Sequence, residues 1–160
     1  MTATPAQPVL RKILVIDDNP IIQRAVYFAL RDKGFLVLMS GTISEALTLI
    51  RQQKPALVLL DLNFPADAAD FGGSAWDGFA VLEWLRRTGD SKHLPIVILS
   101  GSNAEESRPR ALAAGAVAYF EKPIEKEKLQ AVILEVLGNA AANAPAQTVS
   151  RPSRSGLTMA

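Results

Sequence analysis

Five short apolar runs recur along this chain, each followed by a segment with helical spacing. They are Lys12–Ile16, Phe35–Met39, Ala56–Leu60, Pro95–Ser100 and Ala116–Phe120. The central run, short and partly β-branched, reads as a strand buried on both faces rather than as a helix. Lys12–Ile16 reads as a second buried strand, and the other three as strands of the same sheet. Parallel strands need long crossovers, and helices supply them with a right-handed path. The alternation therefore calls for an α/β fold, a doubly wound parallel sheet covered by helices on both sides.

The helical segments carry their own start and stop signals. Asn19 is a favoured N-cap, and Pro20 loses nothing at the first helical position because its missing N–H had no partner there. Ile22, Val26, Ala29 and Leu30 then form one stripe, and Gly34 stops the helix near Lys33. Thr42 or Ser44 begins a second helix through Ala46, Leu47 and Ile50, ended before Pro55. A third runs from Asp77 to about Arg87, with Phe79, Leu82 and Leu85 as its core stripe. The fourth closes at Ala114-Gly115. The fifth spans Ile124 to Leu137, with Leu129, Val132, Ile133 and Val136 facing inward. Interior proline costs ~3 kcal/mol. Pro109 therefore places the start of the fourth helix near Ser107-Arg108 and leaves residues 102–106 as loop.

Composition narrows the function classes. The 160 residues carry 17 Lys and Arg against 16 Asp and Glu, so bulk charge draws the chain to neither nucleic acid nor membrane. Cysteine is absent, which excludes disulfides and thiolate metal sites and fits a cytoplasmic location. No apolar run approaches the ~20 residues of a membrane span, and Met1 to Pro8 lacks the pattern of a signal peptide. Residues 1–10 read as a flexible leader and 11–138 as the folded domain. Residues 139–160 are rich in Ala, Asn, Pro, Ser and Thr, with only Arg151 and Arg154 charged, and are expected to be a disordered tail.

Three of the runs end in polar groups: the first in Asp17-Asp18, the third in Asp61 and the fourth in Ser100. Lys122-Pro123 follows the fifth. In an open parallel sheet, ligands sit outside the carboxyl ends of the strands, so these groups converge at one edge. Clustered carboxylates repel unless one is protonated or a cation neutralises them. An all-oxygen site with few protein ligands suits Mg²⁺, which keeps waters and accepts phosphate oxygens. A lysine and a hydroxyl beside it supply donors for the remaining phosphate oxygens. The constellation asks for phosphoryl chemistry on Asp61. The plainer alternative is an Asp/Lys salt-bridge network that stabilises strand ends.

On these residues the chain resembles the receiver domain of bacterial two-component response regulators. The motifs are Asp17-Asp18, Asp61-Leu62-Asn63-Phe64-Pro65, Asp77-Gly78, Ser100-Gly101 and Tyr119-Phe120-Glu121-Lys122-Pro123. The resemblance covers residues 11–138 and implies a flavodoxin-like, five-stranded sheet in the order 2-1-3-4-5. It implies that Asp61 accepts a phosphoryl group from a phosphohistidine on a histidine kinase or histidine phosphotransfer protein. Asp18, Asp17, Asp61 and the backbone carbonyl of Asn63 would hold Mg²⁺. Lys122 would pair with the phosphoryl oxygens, Ser100 would be the switch hydroxyl and Tyr119 the switch aromatic, moving inward behind it. The Lys122-Pro123 bond matches one that is cis in the family.

The sequence departs from that pattern after Pro65. Residues 66–76 intervene before Asp77-Gly78, roughly nine more than usual; such loops are commonly functional or disordered. This one reads either as a solvated insertion or as a lid over Asp61. If it is a lid, trimming residues 66–74 would alter the lifetime of phospho-Asp61. Trp76 and Trp84 share a stripe of the third helix, either as an exposed contact surface or as one covered by the insertion. His93 is expected to be exposed and uninvolved.

With no output domain after residue 138, the expected role is a single-domain regulator: a phosphorylation-dependent adaptor or a phosphorelay shuttle that acts on a further protein. It is not expected to be an enzyme beyond its own phosphorylation and dephosphorylation. A pseudo-receiver that works without phosphorylation is one alternative. An aspartyl-phosphate phosphatase is another, but it needs a second acid two residues after the nucleophile, where this chain has Asn63.

Overall fold

A computed structural model describes residues 10–63, 77–101 and 103–142. Its elements are β1 (Lys12–Ile16), α1 (Pro20–Arg31), β2 (Leu36–Ser40), α2 (Ile43–Gln53), β3 (Leu57–Asp61), α3 (Gly78–Arg87), β4 (Ile96–Ser100), α4 (Ala104–Ala113), β5 (Ala118–Glu121) and α5 (Lys126–Ala142). The strands form one five-stranded sheet in the order β2-β1-β3-β4-β5, with every pairing parallel. This is the doubly wound sheet expected from the alternation, in the flavodoxin-like strand order that the resemblance implied.

Alternate residues of a strand point to opposite faces, and here each face has its own core. Leu14, Ile16, Val58, Leu60, Ile96 and Ile98 pack under α2, α3 and α4 with Ala46, Leu82 and Ala111. Ile13, Val15, Leu57, Leu59, Val97 and Leu99 pack under α1 and α5 with Val26, Leu30, Leu129 and Ile133. All five residues of β3 are buried, as are those of β4. Fully burying such a side chain contributes ~1.5–3 kcal/mol, so the central strands anchor the sheet. The groups at their carboxyl ends inherit that rigidity.

Local signals acted where expected. The Asn19 side chain accepts the Ile21 N–H at 2.9 Å, Thr42 Oγ1 accepts the Glu45 N–H, and Asp77 Oδ1 accepts the Ala80 N–H. Gly34, past the end of α1, sits at φ +78, a conformation that favours glycine. Trp84 is partly buried against the α2–α4 core and lines a groove of about 900 Å³ between the ends of α2 and α3. That groove lies at the sheet edge opposite Asp61, because crossover helices run antiparallel to the strands. His93 is exposed.

The fourth helix corrects the sequence reading. It begins at Ala104 rather than near Ser107, and Pro109 lies inside it. As the sixth residue of the helix, the proline lacks the N–H that would have bonded Glu105 O, while the first-turn bond from Ser107 N to Asn103 O is kept. Glu105 and Glu106 in that turn also oppose the helix dipole favourably. The fifth helix starts at Lys126, two residues after Ile124, and continues past Leu137 through residues 139–142, the first part of the expected tail. Alanine has the highest helix propensity, and three of those residues are alanines. The leader to residue 9, Phe64 and Pro65, insertion 66–76 with Trp76, and residues 143–160 lie outside the described residues.

Candidate functional site

β1 and β3 are adjacent, and both deliver carboxylates to the same edge. Asp17 follows β1 and is fully buried; its backbone N–H donates to Ser40 O at the end of β2. Its Oδ1 accepts the Asn19 N–H at 2.8 Å, so the turn into α1 fixes this side chain. Asp18 beside it is exposed. Asp61 closes β3, is 3% exposed, and accepts the Asn63 N–H at 2.9 Å through Oδ1. One carboxylate oxygen from each of Asp17, Asp18 and Asp61 falls within 4.8 Å of the other two.

Lys122 reaches this cluster from the end of β5. Its Nζ lies 2.8 Å from Asp17 Oδ2 and 3.4 Å from Asp61 Oδ2. Its backbone N–H donates to Ser100 O, and the Lys122-Pro123 bond is cis, as the resemblance implied. Ser100 is fully buried at the end of β4, and its hydroxyl donates to Asn63 Oδ1 at 3.3 Å. Tyr119 is buried on β5, opposite Ile98 of β4. Of the seven residues named from the sequence, Asp61 and Ser100 thus close β3 and β4, Asp17, Asp18, Asn63 and Lys122 lie in the loops just after β1, β3 and β5, and Tyr119 lies within β5.

Burial pushes the Asp61 carboxyl above the usual range, because desolvation disfavours its charged form. The Asn63 N–H and the Lys122 charge pull it down, while the Asp17 charge pushes it up again. Burial wins. A divalent cation beside Asp61 would favour the ionised form. The donor set fits Mg²⁺: three clustered carboxylates, one exposed, offer hard oxygens and leave positions for water or phosphate.

Two supports were not foreseen in the sequence. Gln23 Nε2 donates to Asp17 O at 2.6 Å, steadying the loop that carries both acids. Gly78 opens α3 so close to β3 that an added Cβ would stand 2.5 Å from Asp61 O and Leu62 Cα. The step Asp77-Gly78 was visible as a motif; the contact that requires glycine was not.

The sequence model of the response regulator receiver domain matches residues 13–134. The chain belongs to the response regulator receiver domain family. It is 32% identical over 127 residues to the phosphate regulon transcriptional regulatory protein PhoB of Escherichia coli, an alignment covering 79% of this chain and 52% of PhoB. It thus spans about half the length of that relative. Among solved structures, chemotaxis protein CheY4 of Vibrio cholerae matches with a TM-score of 0.69 and 25% identity, covering 80% of this chain and 99% of CheY4. A CheY-like receiver domain protein of Methanospirillum hungatei matches with a TM-score of 0.72 and 26% identity, covering 84% and 99% respectively. As a receiver domain, the chain keeps its acidic cluster, Lys122 and Ser100 at the strand ends and loops that the fold brings to one edge.

Proposed function

We propose that this receiver domain accepts a phosphoryl group on Asp61 and thereby switches its binding to a partner protein. The observation that carries the reading is the gathering of Asp17, Asp18 and Asp61 within 4.8 Å, with the Lys122 ammonium touching two of them. The donor is a phosphohistidine on a histidine kinase or a histidine phosphotransfer protein. An Asp61 carboxylate oxygen attacks phosphorus, the P–N bond breaks, and its electron pair returns to the imidazole nitrogen, which takes up a proton.

Asp17, Asp18, Asp61 and the Asn63 carbonyl would hold Mg²⁺. When bound, it offsets the charge that accumulates on the phosphoryl oxygens and keeps Asp61 ionised. Lys122 supplies a second positive charge and exchanges its carboxylate contacts for phosphoryl oxygens. Ser100 releases Asn63 and donates its hydroxyl to the new dianion. The loop after Ser100 opens α4, so this movement reaches the α4–β5–α5 surface and Tyr119. The phosphoryl group shifts the equilibrium by its differential affinity for the two arrangements. Asn63 stands where an aspartyl-phosphate phosphatase would need its acid, which favours a phosphoacceptor over a turnover enzyme.

The test is incubation with acetyl phosphate and Mg²⁺ followed by intact mass. Wild type gains one phosphoryl mass, and Asp61→Asn gains none. No gain in wild type with any small phosphodonor or phosphohistidine protein would leave a pseudo-receiver.

A further inference from the structure

The attachment of α4 differs from that of its neighbours. Of its side chains only Ala111 is buried, its N-cap Asn103 makes no side-chain cap hydrogen bond, and Pro109 removes a backbone bond. By contrast, α1, α2 and α3 each bury three or more residues. What α4 has instead is an arginine on either side of the proline. The Arg108 guanidinium lies over the Tyr119 ring, 5.2 Å from its centroid, and the Arg110 guanidinium lies over the Phe79 ring at 3.8 Å. Residues two apart on a helix point about 200° from one another. The two arginines therefore straddle α4, one gripping β5 and the other α3.

These contacts are not equivalent. Phe79 belongs to α3, whose first residue, Gly78, is wedged against the backbone of Asp61 and Leu62. Tyr119 belongs to the edge strand β5, next to the strand that carries Ser100. We propose that Arg108 is a positioning residue for the switch: lying over Tyr119, it holds the ring inward beneath α4 before any phosphoryl group arrives. The inward ring is then the resting arrangement of this chain, and phosphorylation acts on a switch already biased to that side. This assignment rests on the phosphoacceptor reading for its role, but its geometry can be tested without a phosphodonor.

The sequence has two tyrosines, so 3-fluorotyrosine incorporated in a Tyr27→Phe background reports on Tyr119 alone. With Mg²⁺ and no phosphodonor, relaxation of the fluorine signal by a soluble paramagnetic agent measures the exposure of the ring. Arg108→Ala is expected to shift the ring's outward-to-inward ratio about two- to fivefold, the equilibrium factor for an exposed cation–π contact. The shift is seen as raised relaxation together with a moved fluorine chemical shift, and Arg108→Lys is expected to recover part of both. Raised relaxation at an unmoved chemical shift overturns the assignment. Arg110→Ala loosens α4 on its other side and is expected to leave Tyr119 shielded. Unchanged shielding in Arg108→Ala, or an equal rise in Arg110→Ala, overturns the assignment. Since no phosphoryl group takes part, the outcome is independent of whether Asp61 gains mass.

Discussion

Lys122 Nζ stands 2.8 Å from Asp17 Oδ2 and 3.4 Å from Asp61 Oδ2, so a single ammonium spans two buried carboxylates from adjacent strand ends. Neither acid could shed its charge into solvent if that ammonium were removed. Truncating one partner of a buried ion pair costs ~3–5 kcal/mol; the Lys122 side chain is 17% exposed, so the lower end applies. Lys122→Ala is expected to lose about 3 kcal/mol in urea unfolding at pH 7 without divalent ions. Added Mg²⁺ should recover part of the loss. A variant as stable as wild type under metal-free conditions would show that the pair is merely a contact.

Asp61 gives a pH dependence of definite sign. Its carboxyl is held above the ordinary value, chiefly by burial, so the folded chain binds this proton more tightly than the unfolded chain does. Stability from this group is therefore greatest below the unfolded value of about 3.9 and falls as pH rises through the raised folded value. Asp61→Asn removes the ionisation and is expected to melt at a higher temperature than wild type at pH 7 without Mg²⁺. The difference should narrow toward acid pH and also when Mg²⁺ is added. Equal melting temperatures across the whole range would contradict the burial argument.

Gly78 tests how tightly α3 is seated. A methyl group there would meet main-chain atoms at 2.5 Å, and main chain cannot step aside as a flexible side chain would. Gly78→Ala should therefore destabilise despite alanine's better helix propensity, by about 1–3 kcal/mol as overpacking. The measurement is the urea midpoint with unchanged slope. A stabilised variant would mean that α3 can slide away from β3 freely.

The parts legible in the sequence were those set by local chemistry. Asn19, Thr42 and Asp77 cap helices because their side chains reach N–H groups two or three residues on, whatever the rest of the chain does. The inner strand runs were equally plain, since burial on both faces leaves β3 and β4 apolar up to their last residues, whereas the edge strands β2 and β5 are only partly buried. The convergence of Asp17, Asp18, Asp61, Ser100 and Lys122 followed from parallel order alone. What failed was the start of α4, where a rule about proline in isolation left out the first turn ahead of it, held by the Ser107 N–H on Asn103 O and carrying Glu105 and Glu106 at the dipole's positive end. Gln23 and Arg108 escaped notice because their partners, Asp17 O and the Tyr119 ring, are supplied by tertiary packing.

Arg86, near the end of α3, donates to Gly115 O at 3.0 and 2.7 Å, to Leu94 O at 2.7 Å and to Lys92 O at 3.2 Å. Its planar fork rivets the α3–β4 and α4–β5 loops together, a geometry that a lysine could not reproduce. With one end of α3 wedged against Asp61 by Gly78 and the other riveted through Arg86, that helix is a fixed rail. If Asp61 is phosphorylated as proposed, the helix beside this rail, α4, is the one with the fewest buried side chains to hold it in place.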